Sequence, residues 1–290
     1  GSCPHGVGFG YMVGDPKVME ITGNRPGIIS APLTVLRRIW NQKHLVQHFI
    51  RRDLKVNYHG TVIGWGWTMV EPLALTAVYW LVFSLLRGQD DPIFVLEILI
   101  GVLAYGMFSR TLSGTTTSIV SNSGLIKQVA IPREVFLWAI GGFQTLRFLL
   151  SIMILPPVLL LMGAELNWTL LLVPLAPLGV QSLSMGLGMI FSIFHTHVRD
   201  TSHVVNILTT AGFFLSGVFF GMRHIPEEHH DMFALNPIAT YVELMRALVT
   251  GNWEVLEPTY VIQAVGFSLS FLILGCIVFV RNEARAVKHL

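Results

Sequence analysis

From residue 61 onward the chain alternates long apolar runs with short polar connections. An α-helix needs about 20 apolar residues, at about 1.5 Å each, to cross a hydrocarbon core about 30 Å thick. Six segments meet or nearly meet that length: 61–86, 93–109, 135–162, 168–194, 204–222 and 258–280. They predict an all-α integral membrane protein with six transmembrane helices. The second run is the weakest, because Glu97 lies inside it and Arg110 follows it. It reaches full length only if the polar stretch TLSGTTTSI, 111–119, continues the helix.

Three polar segments carry their own pattern. Residues 40–57, WNQKHLVQHFIRRDLKVN, gather Trp40, Leu45, Val46, Phe49, Ile50 and Leu54 near one helical face and leave Lys43, His44, Gln47, Arg51 and Lys55 outside it. That predicts an amphipathic helix lying in the membrane interface. The connection 121–135, SNSGLIKQVAIPREV, has room for a short helix bearing Leu125, Ile126, Lys127 and Val129, either as a plain cap on the bundle or as a docking element. Residues 226–257 are too long for a tight turn and too polar for a span. Within them Asn236-Pro237 predicts a helix start, and Glu243 and Arg246 stand at i,i+3. The segment either lies on the outer surface or dips back into the membrane. Ahead of all these, residues 1–39 are expected to form a flexible cytoplasmic tail, its first 30 or so residues rich in Gly and Pro.

Composition and charge agree with a membrane protein and add an orientation. The 290 residues are 52% hydrophobic and 12% charged, against about 25% charged in soluble domains. A net charge of +2 without a nucleic-acid motif excludes RNA or DNA as the partner. Cys3 and Cys276 form neither a disulfide framework nor a metal pattern. With both termini in the cytoplasm, fifteen Lys and Arg fall on that side and only Arg87, Arg223 and Arg246 on the other. The positive-inside rule therefore predicts a multi-pass plasma-membrane protein with cytoplasmic termini.

Charges inside the spans are expensive against lipid, about 2.5–3.5 kcal/mol each on insertion scales. Glu71, Glu97 and Arg147 should therefore face protein or water. Two fates stay open for Glu71: a structural pair with a neighbouring helix, through Arg147, or a place along a hydrated path. Trp65, Trp67, Tyr79 and Trp80 fall in the first span, and Trp138, Phe143 and Phe148 in the third. They are either interfacial anchors and packing residues or an aromatic path along which sugar rings stack. No GxxxxGK[ST] phosphate loop occurs, so the chain has no Walker-type ATPase site. EEHHD at 227–231 and HTHVRDTSH at 195–203 lack HExxH spacing and read as polar boundary residues. No catalytic or metal-binding set can be assembled, and the chain is not expected to be an enzyme or to bind a cofactor.

Four stretches together, RRDLKVNYHGTVIGWGWTMVEPL at 51–73, LIKQVAIPREV at 125–135, VRDTSHV at 198–204 and LNPIATYVELMRALV at 235–249, resemble the membrane subunit of ABC exporters of the ABC-2 type. The resemblance covers residues 40–290, with 58–290 as the transmembrane domain, and is to exporters of bacterial polysaccharides: O-antigen, teichoic acid and mycobacterial galactan. The ending RNEARAVKHL is most similar to the galactan type. The resemblance implies a half-pathway that works as two copies with two copies of a separate ATPase, which uses ATP and Mg. It implies that 122–130 is the coupling helix, through Leu125, Ile126, Lys127 and Val129, and that 226–257 forms short extracellular re-entrant helices. Arg147, Arg199, Asp200, Asn236, Pro237 and Arg246 take structural places. Gly217 stands where relatives carry proline, which leaves the local kink open. The implied cargo is a glycan on an undecaprenyl-type diphosphate lipid, its phosphates attracted by Arg51, Arg52 and Lys55 at the lipid boundary. Export of a smaller lipid or a drug is the alternative within that class. A membrane glycosyltransferase or acyltransferase would turn over without an ATPase, and a secondary transporter would show an internal repeat.

Overall fold

The computed structural model describes residues 30–87, 92–129, 131–164, 167–253 and 256–286. The expected tail up to residue 29, and the basic ending beyond 286, lie outside the described residues. Helix α1, Ala31–Asn41, begins within the segment expected to be tail, and α2, Lys43–Tyr58, follows it. The single interface helix expected over 40–57 is thus two helices, broken at Gln42 (φ −107°, ψ 20°). The break turns Trp40 away: it belongs to α1 and is 73% exposed. The apolar face of α2 is real, with Phe49 and Leu54 buried and Arg51, Arg52 and Lys55 outside.

The spanning helices follow. A 3-10 turn at Gly64–Gly66 leads into α3, Trp67–Arg87, and α4 runs from Pro92 to Ser121. The short α5, Ser123–Gln128, precedes α6, Glu134–Ser151, which a 3-10 turn joins to α7, Leu155–Leu161. After a 3-10 stretch at Trp168–Leu175 come α8, Pro177–His197, α9, Thr201–Leu215, α10, His230–Ala234, α11, Pro237–Thr250, and α12, Pro258–Ala286. Five helical segments among the described residues are long and apolar enough to cross a membrane: 64–86, 93–121, 134–161, 168–197 and 258–286.

The central helix is α4, with 72% of its apolar window buried against 11% for α3 and 22% for α12. Its polar second half continues the helix because the hydroxyls bond back to carbonyls of the preceding turn: Thr115 to Thr111 O, Thr116 to Leu112 O and Ser118 to Thr115 O. Serine and threonine can thereby sit in apolar surroundings without an unmet donor. Helices α8 and α12 approach closely enough for backbone contact. A Cβ on Gly186 would stand 2.4 Å from the Phe271 carbonyl carbon, so only glycine fits, as small residues commonly permit between membrane helices.

The fifth expected span, 204–222, is only partly a helix. The 15 residues of α9 reach about 22 Å, short of a full hydrocarbon core. The chain then turns at Gly217, whose φ of +67° lies in the left-handed region that glycine adopts readily. The turn expected from a proline is thus made by a glycine of opposite φ. Even so, the chain keeps running along α4. Asn206 meets Ser113, Thr209 O accepts from Tyr105, Val218 packs on Gly101 and Arg223 pairs with Glu97.

At the end of the bundle opposite α5, α10 and α11 form a tight pair. The side chain of Asn236 accepts from Ile238 N at 3.1 Å and caps α11, and Gly251 closes it at φ +74°. Asn236 also donates to Ser216 Oγ and Leu215 O, tying the start of α11 to the end of α9. Helix α11 is buried along most of its length, with Tyr241 donating or accepting at Ser268 of α12 at 2.8 Å. It packs into the bundle rather than over it.

Candidate functional site: two ion clusters and the α5 contact face

Three spanning helices bring their charges together near one end of the bundle. Glu71 of α3 accepts from Arg110 of α4 at 2.8 Å through one oxygen and from Arg147 of α6 through the other. The pair of Glu71 with Arg147 is one of its two open fates. Arg110 was expected at the cytoplasmic boundary, beyond a span ending at 109, and that placement is corrected. Because α4 continues to Ser121, Arg110 lies about 16 Å short of the helix end. The cluster borders a void with room for a single water, lined by Pro72, Met107, Gln144 and Phe148. It is half open, with the Glu71 side chain 40% exposed and Arg110 29%.

A second cluster stands at the opposite end. Glu97 of α4 pairs with Arg223 at 2.9 Å, and Glu243 pairs with Arg246 at 3.0 Å within α11. Arg246, only 5% exposed, donates through Nη2 to Gly217 O at 2.7 Å and Val218 O at 3.0 Å. It also reaches Phe220 O and Glu97 O, each at 3.3 Å. Irregular backbone buried among apolar side chains needs its polar groups satisfied by protein, and Arg246 does this for carbonyls of the break after α9. Sequence spacing suggested the Glu243 pair but not the carbonyl contacts.

A third group links elements at the α5 end. Arg38 of α1 donates to Glu134 of α6 at 2.7 Å and to Glu283 of α12 at 2.9 Å. Burial works to lower the Arg38 pKa, but hydrogen bonds and charge from both carboxylates prevail and leave it raised. This cation therefore stays charged. Glu134 follows the loop carrying α5 directly, so the group fixes the base of that loop.

On α5, Leu125 and Ile126 turn inward against Phe49, Val135 and Phe136, while Lys127 and the extended residue just past the helix, Val129, are exposed. The four residues expected to act together thus divide into two anchors and two exposed positions. On α2, Arg52 pairs with Asp53 at 2.8 Å and lies over the Phe49 ring, whereas Arg51 and Lys55 are exposed.

The aromatic residues do not share one surface. Trp65 and Trp67 are 50% and 43% exposed at the start of α3. Tyr79 packs on Phe213 and Phe219, Trp80 is half-buried, and Trp138 is half-buried with its indole N–H enclosed. Phe143 and Phe148 are buried in the chain's own core. Arg199 and Asp200 are exposed at the turn between α8 and α9, and neither forms an ion pair among the described residues. Among the described residues no group of three or more His, Cys, Asp or Glu is placed to hold a metal ion.

An all-α chain with five helical segments long and apolar enough to span, and with ion clusters joining several of its helices, is a multi-pass membrane protein. The family model for ABC-2 type transporters matches residues 44–250, and the chain belongs to that family. It is similar to an O-antigen export system permease protein of Klebsiella pneumoniae, 26% identical over 244 residues, covering 82% of this chain and 92% of that protein. It is similar also to an O-antigen export system permease protein of Myxococcus xanthus, 26% identical over 222 residues, covering 74% and 84%. A polysialic acid transport protein of Escherichia coli is 24% identical over 244 residues, covering 80% and 87%.

Proposed function

We propose that this chain is the permease half of an ATP-driven exporter that moves a lipid-linked polysaccharide out of the cytoplasm across a bacterial plasma membrane. The observation that carries the reading is the match, over most of both chains, to permeases named for O-antigen and polysialic acid transport. The exposed face of α5 supports a division of labour in which a separate ABC ATPase, with its ATP and Mg, docks at Lys127 and Val129. Two permease copies and two ATPase copies would assemble around one pathway. Nothing covalent happens to the glycan; nucleotide-driven closure of the ATPases pushes on the α5 loop and shifts the helices around the path.

Six crossings with both termini in the cytoplasm fit this reading. The fifth crossing would be α9 plus the turn after it, supported by their shared course along α4 from Ser113 to Glu97. In that orientation α10 and α11 dip into the outer leaflet, and Tyr241 beside Ser268 lies ten residues into α12, about 15 Å from its start. Trp65 and Trp67 are the aromatic residues open enough to meet a sugar. Arg51, Arg52 and Lys55 offer the first attraction for the lipid's phosphates.

The test is co-purification with an ABC ATPase, then nucleotide hydrolysis and transport of defined lipid-linked glycans in vesicles. Coupled export is expected. Turnover of a substrate without any ATPase would replace the reading with an enzyme, and transport confined to small lipids or drugs would replace the cargo. Reversing the charges of Arg51, Arg52 and Lys55 should weaken glycan-lipid binding in an assembled complex.

A further inference from the structure

The cluster of Glu71, Arg110 and Arg147 holds two cations on one anion. A guanidinium has five N–H donors, and among the described residues Glu71 is the sole side-chain acceptor for either. Their other donors are not sealed in the core. A structural ion pair needs only one arginine; the second leaves uncompensated positive charge facing an open groove.

The direction of Arg110 sharpens the point. A long cation inside a spanning helix ordinarily extends along the helix toward the nearer headgroups and water. Arg110 instead lies back over Gly106, one turn farther from the α5 end, where a Cβ would stand 2.9 Å from its Nη1. The sequence supplies a glycine to make that space, and Glu71 receives the guanidinium there. Glu71 is one helical turn beyond Trp67, about 6 Å farther along α3. Trp67 is itself 43% exposed. Helix α3 is also the least buried of the spanning helices, so the half-open side of the cluster lies along an exposed helix.

An anion reaching this groove would meet two planar donor forks already oriented by a carboxylate. Phosphate oxygens match that geometry, since arginine binds them through paired N–H donors. We propose that the open side of the cluster is a binding site for a lipid-borne phosphate headgroup, with Arg110 and Arg147 donating to the phosphate oxygens in competition with Glu71, which holds both guanidiniums when no ligand is bound. If the cargo is the lipid-linked glycan proposed above, on which the choice of ligand rests, the headgroup is its diphosphate. A phospholipid phosphate shares the same chemistry.

The experiment uses the purified full chain in non-ionic detergent, titrated with undecaprenyl diphosphate or phosphatidylglycerol and read by native mass spectrometry. Arg110→Gln and Arg147→Gln should each weaken binding about tenfold, the scale of one charge-assisted hydrogen bond. Glu71→Gln removes the competing anion and should strengthen it, a direction that a purely structural latch would not produce. Preference for undecaprenyl diphosphate assigns the site to the carrier lipid. Equal binding of phosphatidylglycerol, lost in the same variants, assigns it to a bilayer phospholipid.

The proposal is overturned if folded arginine variants bind both lipids like the unaltered chain, or if Glu71→Gln loses binding together with them. Should the glutamine variants not fold, Arg110→Lys and Arg147→Lys keep the charge without the fork, and unchanged binding in both would overturn the bidentate contact. No glycan, nucleotide or ATPase enters the assay. Failure of transport with headgroup binding intact would therefore remove the exporter reading alone, and transport with indifferent binding would remove this site alone.

Discussion

The two ion clusters use the same residue types to opposite ends. Near the α5 end, two arginines share one carboxylate in an open groove. At the other end two glutamates balance two arginines, and Arg246 is almost wholly enclosed while capping carbonyls of a broken helix. Burial with balanced charge makes an ion pair structural, because removing either partner strands the other in low dielectric. Exposure with surplus charge leaves a group free to bind something else. The consequences of mutation should therefore separate the clusters cleanly.

The largest effect is expected for Arg246→Met. It removes donors from the carbonyls after α9 and strands Glu243, and breaking a buried pair typically costs about 3–5 kcal/mol. Loss of folded protein on detergent extraction, or a large fall in melting temperature, measures it. Gly217→Pro comes next. A proline's φ near −65° cannot serve a residue at +67°. The substitution should destabilise by about 3 kcal/mol or more unless α9 repacks. A variant as stable as the parent would show that the turn can be made with either hand, and that Arg246 does not depend on it.

Glu71→Gln should be milder, about 1–2 kcal/mol, because the groove is half open and water can screen the two guanidiniums. Thermal melting of this variant beside Arg246→Met compares the clusters directly. If Glu71→Gln proved the more damaging, the contrast between a bound structural charge and an available one would be reversed.

How far these sites could be read from the sequence follows the same physics. That Glu71 needs a partner was legible, since a carboxylate in a span has few other options, and Arg147 was the nearest intramembrane candidate. Arg110 was not, because a span ended at 109 makes it a boundary residue; only hydroxyls bonding back along α4 show that the helix goes on. The face of α2 was legible from its amphipathic spacing, whereas the break at Gln42 carries no proline or glycine to announce it. The end of α9 was hidden for a different reason. SGVFFG, 216–221, is apolar, and hydropathy counts side chains rather than backbone hydrogen bonds. Phe143 and Phe148 could not be assigned a facing because their span is apolar all round, and the core takes them.

The smallest structural effect and a large functional one are expected together on α5. Leu125 and Ile126 are held against Phe49 and Phe136, so trimming them to alanine loosens the base of the loop and should lower stability by about 1–2 kcal/mol. Lys127 and Val129 touch no core cluster and are exposed. Lys127→Glu with Val129→Asp should therefore leave melting within about 0.5 kcal/mol of the parent. A contact that exists only when a partner docks has no weight in the isolated chain, yet charge reversal at its centre desolvates and repels on assembly. Paired measurement of melting and of ATPase co-purification reads both quantities. Normal assembly of the double variant would move the proposed docking surface elsewhere at the α5 end, with α2 the next exposed helix beside it.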